Sequence, residues 1–87
     1  MIYLGWEEIE IRVKAEAQGA AKVYGPYTSS HEGLGVLTEE IRELENAIHG
    51  NDLESVRSEA IQVAAVAMRL AACCGHGEFD SRSGFGS

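Results

Sequence analysis

From Ala60 to Cys74 every residue is apolar except Gln62 and Arg69, and Glu59 stands just before the run. Glu59, Gln62, Val66 and Arg69 are spaced three, four and three, so on an α-helix they share one face. A helix that is apolar on nearly every side is normally buried on every side. An acid, an amide and a guanidinium in such a helix cost stability unless each finds a partner. The chain therefore folds in a way that supplies those partners, and the nearest source is the acidic cluster Glu39, Glu40 and Glu43 upstream.

Two further helices are predicted. Ile2, Trp6, Ile9, Val13, Ala17, Ala20 and Tyr24 follow a helical rhythm. A strand is the rival for part of this segment, because Glu8 to Lys14 alternates polar and apolar. The alanine-rich stretch after it and the lack of a second strand to satisfy its backbone favour helix. Gly25-Pro26 ends that helix, and Pro26 to Ser30 is a loop. Ser29 and Glu32 have capping-box spacing, which starts the second helix near Ser30. Leu34, Leu37, Ile41, Leu44 and Ile48 repeat as three, four, three, four, and Gly50 is the expected stop. Asn51 is expected to cap the third helix, with Asp52 in its first turn, and Gly75 to end it.

The expected architecture is an all-α domain over residues 1–74, with three main helices, followed by a flexible glycine- and serine-rich tail over 75–87. Lack of a second domain fits a length of 87 residues. A chain this small buries a limited core, and the third helix asks for more cover than two neighbours provide, so completion of the bundle by homo-oligomerisation is expected.

The formal charge of −7 argues against nucleic acid as a partner, and scattered basic residues argue against a membrane surface. The apolar run is too short for a span and carries Arg69. With no basic n-region at the N-terminus, and only two adjacent cysteines, a reducing cytoplasm is the expected setting.

At about 100° per residue, Glu40 and Glu43 fall on one flank of the apolar stripe of the second helix, while Glu39 points further toward solvent. Glu59 and Gln62 repeat the i, i+3 geometry on the third. Three carboxylates and an amide carbonyl are hard oxygen donors, suited to Mg²⁺, with Mn²⁺ as the alternative, rather than to zinc. Like charges this close raise one another's pKa, and a dication removes that penalty. The competing reading makes Glu39, Glu40, Glu43 and Glu45 a solvated helix face, which leaves the polar column of the third helix unexplained.

The run Tyr24-Gly25-Pro26, Ser30-His31-Glu32-Gly33, Glu39-Glu40-Ile41-Arg42-Glu43 and Glu59-Ala60-Ile61-Gln62 resembles the MazG-like branch of the all-α nucleoside triphosphate pyrophosphohydrolases. Their signature is EExxE followed by ExxD, and here glutamine stands in place of the aspartate. The resemblance covers roughly residues 20 to 72. It implies a homo-oligomeric helical bundle, dimer or tetramer, and Mg²⁺-dependent cleavage of a nucleoside triphosphate to a monophosphate and pyrophosphate. It also implies the metal ligands Glu40, Glu43, Glu59 and Gln62. Glu39 is then the candidate to accept the proton of the attacking water, which places Glu39, Glu40, Glu43 and Glu59 in the catalytic set. Lys22 and Arg69 are candidates to bind the substrate phosphates, and Arg69 has a buried carboxylate as its other candidate partner. The alternative function is a catalytically weak nucleotide- or metal-binding helical oligomer with a regulatory or interaction role.

Other residues have plainer expected roles. His31 and His49 fit helix ends. Trp6, Tyr24 and Tyr27 are core or interface aromatics, or stack on a base. Cys73 and Cys74 are expected to be small buried hydrophobes. Gly33 and Gly35 mark either close packing or a late helix start.

Overall fold

The computed structural model describes residues 5–75. They form three helices, α1 (Trp6–Tyr24), α2 (Ser30–His49) and α3 (Leu53–Gly75), with no strand among the described residues. The alternating segment of residues 8–14 is helical, and its Ile11 is left exposed while Val13 is buried. Ile2 and the expected tail beyond Gly75 lie outside the described residues.

The second helix starts as its sequence dictates. Ser29 Oγ accepts from the Glu32 N–H at 3.1 Å. The returning carboxylate reaches one residue further back than a standard capping box. Glu32 Oε1 accepts from the Thr28 N–H at 2.6 Å and from the Thr28 hydroxyl at 3.1 Å. Between α2 and α3 the expected roles shift by one residue. Gly50 has a right-handed conformation, and Asn51 takes the left-handed position at φ 58°. Asn is among the few non-glycine residues that tolerate that region. Asn51 therefore closes the turn rather than capping α3. Asp52 does the capping, accepting from the Ser55 N–H at 3.3 Å and its hydroxyl at 2.7 Å. These bonds hold the Asp52 carboxyl below its ordinary pKa.

Helix α3 is central. Helices α1 and α2 each pack on it, and among the described residues they do not pack on each other. Val13 and Ala17 of α1 meet Ile61 and Ala65 of α3, with Ile9 and Ala64 at the margin. On the other flank Tyr27, Val66 and Cys73 form a second cluster with Val36, Leu37 and Leu70. Helix α1 runs parallel to α3, with Arg12 near Arg57 at one end and Gly25 bonded to Arg69 at the other. Helix α2 runs antiparallel, with Gly33 beside Leu70 and Glu43 beside Glu59. A Cβ on Gly33 would lie 2.7 Å from Leu70 Cδ1 and 3.3 Å from Tyr27 Cδ2, so this glycine serves close packing; around Gly35 the space is open.

Burial of α3 is one-sided in the single chain. Ala60, Ala67, Met68, Ala71, Ala72 and Cys74 are exposed, and only Cys73 of the two cysteines is buried. On α2 the sequence stripe splits. Leu37, packed against the cluster on α3, and Leu44 are half-buried, whereas Leu34, Ile41 and Ile48 are 55%, 48% and 52% exposed. Trp6 and Tyr24 are likewise exposed rather than core residues, while Tyr27 is buried.

Candidate metal centre

The antiparallel register of α2 and α3 sets Glu40 and Glu43 opposite Glu59. One oxygen from each of the three carboxylates lies within 4.8 Å of the others. The i, i+3 spacing keeps Glu40 and Glu43 on one flank of α2, and the packing of Val36 and Leu37 against the cluster that contains Val66 brings α2 to α3. Glu40 and Glu59 are half-buried and Glu43 is exposed.

Two observations separate this cluster from a solvated helix face. Glu40 Oε2 and Glu59 Oε1 are buried and lack a hydrogen-bond partner, a costly arrangement for a carboxylate oxygen. Burial also pushes the Glu40 carboxyl above its ordinary pKa, and the charges of Glu43, Glu59 and Glu39 push it the same way. The donor set is all oxygen, the orphaned atoms have no donor among the described residues, and the cluster carries excess negative charge. The residues present fit a hard divalent cation.

Glu39 is exposed on α2, outside the three-carboxylate cluster but close enough to raise the Glu40 pKa. Gln62 is half-buried on α3, one turn beyond Glu59. With Glu40 it lines a groove of about 780 Å³ that opens between α1 and α2 above α3. The floor of the groove is Gln62, Ala65, Val66 and Arg69, and its far end is closed by Tyr24, Gly25, Pro26 and Tyr27. The groove exists because α1 and α2 touch only α3.

Arg69 forms no ion pair with a carboxylate among the described residues. It donates to the Gly25 carbonyl at 3.2 Å, and its guanidinium carbon lies 4.4 Å from the centre of the Tyr27 ring. Gly25 has φ 73°, so the turn that presents this carbonyl depends on glycine. Arg69 thus ties the α1–α2 turn to α3. Burial raises the pKa of the Tyr27 phenol, with Arg69 opposing and Cys73, Glu32 and Glu40 adding to the rise. Its hydroxyl is a third buried atom without a partner. Lys22 is exposed on α1 and lines a shallow depression with Gln18, Gly19 and Ala21, which borders the groove at Gly19; Lys22 does not itself line the groove.

Sequence reasoning missed Glu16, Arg12 and Arg57. Glu16 lines the groove and, with Ala15 and Gln62, also lines an adjoining notch of about 440 Å³ that holds Arg12, Glu54, Arg57, Ser58 and Ile61. Glu16 follows the apolar positions Val13 and Ala17 on the wheel of α1, but only the parallel packing of α1 on α3 shows that its face borders the groove. No family model matches the chain, and neither a curated protein nor a solved structure shows significant similarity to it.

Proposed function

We propose that this protein is a Mg²⁺-dependent nucleoside triphosphate pyrophosphohydrolase, converting a nucleoside triphosphate and water to a monophosphate and pyrophosphate. The observation that carries the reading is the convergence of Glu40, Glu43 and Glu59 within 4.8 Å, with two of their oxygens buried and unpartnered, beside a groove large enough for a nucleotide. Glu40, Glu43 and Glu59 would hold the cation, with Gln62 contributing a neutral oxygen from the groove floor; Mn²⁺ is the alternative ion. A bound dication offsets phosphate charge and lowers the pKa of a coordinated water. Glu39 sits one residue from the cluster and is exposed, which suits a proton acceptor for that water. An acidic chain can bind a polyanion in this way because the ion lies between them.

We also propose that the bundle is completed by copies of the same chain. Leu34, Ile41 and Ile48, spaced seven apart, remain exposed on α2 beside the half-buried Leu37 and Leu44. Such a pattern seats a second helix. No described helix is long and apolar enough to cross a membrane, and a cytoplasmic setting remains part of the proposal.

The test is a panel of standard and modified nucleoside triphosphates incubated with the protein and Mg²⁺, assayed for pyrophosphate. Release that is lost in Glu40→Gln supports the hydrolase. Gln62 favours the second reading, a nucleotide or metal binder with little turnover, because an amide supplies less charge to a cation than a carboxylate. Absence of release across the panel, with Mg²⁺ and nucleotide still bound, selects that reading.

A further inference from the structure

The groove and the notch adjoin, and their outer ends are unlike. They share Ala15, Glu16 and Gln62. From there the groove runs toward Tyr24, Tyr27 and Arg69, and the notch runs the other way to Arg12 and Arg57. Arg12 to Tyr24 on α1 and Arg57 to Arg69 on α3 each span about 18 Å of parallel helix. Glu40 and Gln62, beside the candidate metal centre, lie between the two ends. One end is thus aromatic and largely apolar. The other carries the guanidinium groups of Arg12 and Arg57, each of which already has a partner within the chain that a phosphate would have to displace or share.

We propose that a nucleotide lies along this surface in one direction, its base against Tyr24 and its terminal phosphates on Arg12 and Arg57. The proposal rests on the hydrolase reading above and adds to it the polarity of the substrate and two residues that receive the leaving pyrophosphate. Cleavage between the α- and β-phosphates requires the metal to sit between nucleoside and phosphate tail, and the candidate centre has that intermediate position.

The chemistry of each end favours this direction. Guanidinium groups bind phosphate oxygens in paired hydrogen bonds. Arg12 pairs with Glu8 at 3.1 Å, both side chains about half exposed, and such a surface pair is weak competition. At the opposite end Arg69 donates to the Gly25 carbonyl and lies over the Tyr27 ring, so it buttresses the turn at the aromatic end. Tyr24 is 77% exposed at the groove edge, free to stack on a base, an interaction open to any base. Glu16 and Glu54 also line the notch and offset its two positive charges. The combined surface therefore favours a dication-bound triphosphate over a bare polyanion.

Binding is measured by calorimetry in Mg²⁺ with three probes. They are the α,β-methylene analogue of the best nucleotide in the panel, the matching monophosphate, and inorganic tripolyphosphate. Arg12→Gln/Arg57→Gln is expected to weaken the triphosphate analogue and tripolyphosphate by about tenfold to a hundredfold. The monophosphate should change by less than about twofold. Tyr24→Ala is expected to weaken both nucleotides and spare tripolyphosphate. Helical circular dichroism and Mg²⁺ affinity should match wild type in both. If the double glutamine variant fails to fold, Arg12→Lys/Arg57→Lys replaces it, with a smaller loss on the same two probes. Equal losses on all three probes, or no loss, overturn the proposed direction while wild-type pyrophosphate release leaves the hydrolase reading intact. A wild-type protein that binds no triphosphate removes both.

Discussion

Glu40 on α2 and Glu59 on α3 face each other across the helix interface, each with one buried oxygen that no group among the described residues satisfies. Two carboxylates so placed are a repulsive contact in the bare chain and an attractive one around a dication. Added Mg²⁺ should therefore raise the melting temperature. Linkage gives about 2.7 kcal/mol at a metal concentration a hundred times Kd. Glu40→Gln should abolish that gain and leave the metal-free protein at least as stable as wild type. Thermal melts with and without chelator read both effects. An equal Mg²⁺ response in wild type and Glu40→Gln would remove Glu40 from the metal centre.

The pH dependence carries a definite sign. The Glu40 carboxyl titrates above its ordinary value, through burial first and then the charges of Glu43, Glu59 and Glu39. Between its unfolded and folded pKa the folded chain holds more protons than the unfolded one, so stability falls as pH rises through that window. In chelator, wild type should melt at a higher temperature just below the window than just above it. Glu40→Gln should flatten this step. Mg²⁺ should reverse it, because the metal competes with the proton. A step of the opposite sign in chelator contradicts the raised pKa.

Gly33 and Gly35 occupy the same helix in unlike surroundings. A Cβ on Gly35 meets nothing within 4 Å, so Gly35→Ala should stabilise by up to about 1 kcal/mol through helix propensity. On Gly33 it meets Leu70 at 2.7 Å and Tyr27 at 3.3 Å, and Tyr27 is held beneath Arg69. Repacking should cost about 1–3 kcal/mol, so Gly33→Ala falls below Gly35→Ala. Denaturant unfolding of the two variants orders them, and the reverse order would place Gly33 outside a close contact.

The exposed α2 positions make a separate prediction. Ile48→Arg puts a charge in the stripe formed with Leu34 and Ile41, away from the carboxylate cluster. Sedimentation should show wild type as a dimer or tetramer and the variant as a smaller species. Identical monomeric profiles would mean that this stripe, despite its seven-residue spacing, seats no second copy.

Those residues also mark where the sequence stops being legible. Local signals were sufficient for the three helices, because the Ser29–Glu32 box and the Gly25 turn act over a few residues. The i, i+3 spacing put Glu40 and Glu43 on one flank, and the polar column singled out Glu59 before any packing was known. The one-residue shift that gives Asn51 the left-handed position and Asp52 the cap was not legible, since both residues suit a cap and only the backbone decides between them. The division of the α2 stripe was hidden because periodicity gives the direction of apolar residues but not how many helices share them. Arg12, Glu16 and Arg57 carry no distinguishing signal in the sequence, because only the parallel packing of α1 on α3 brings them beside Gln62.

Gln62 offers the sharpest test of the whole site, because it is the one polar groove-floor residue beside the cluster that lacks charge. It lines the groove with Glu40 and lies one turn from Glu59. Gln62→Asp adds a carboxylate there. In chelator the added repulsion should destabilise the fold and raise the Glu40 pKa further. In Mg²⁺ the same charge becomes a ligand, so metal affinity should rise by about tenfold, the equivalent of one charged contact of about 1.4 kcal/mol. Turnover should rise with affinity if the amide limits the metal's hold. Mg²⁺ titration by calorimetry and the pyrophosphate assay follow the two effects. Opposite shifts in stability with and without Mg²⁺ are the signature of a group at the ion, and unchanged affinity and turnover would place Gln62 away from it.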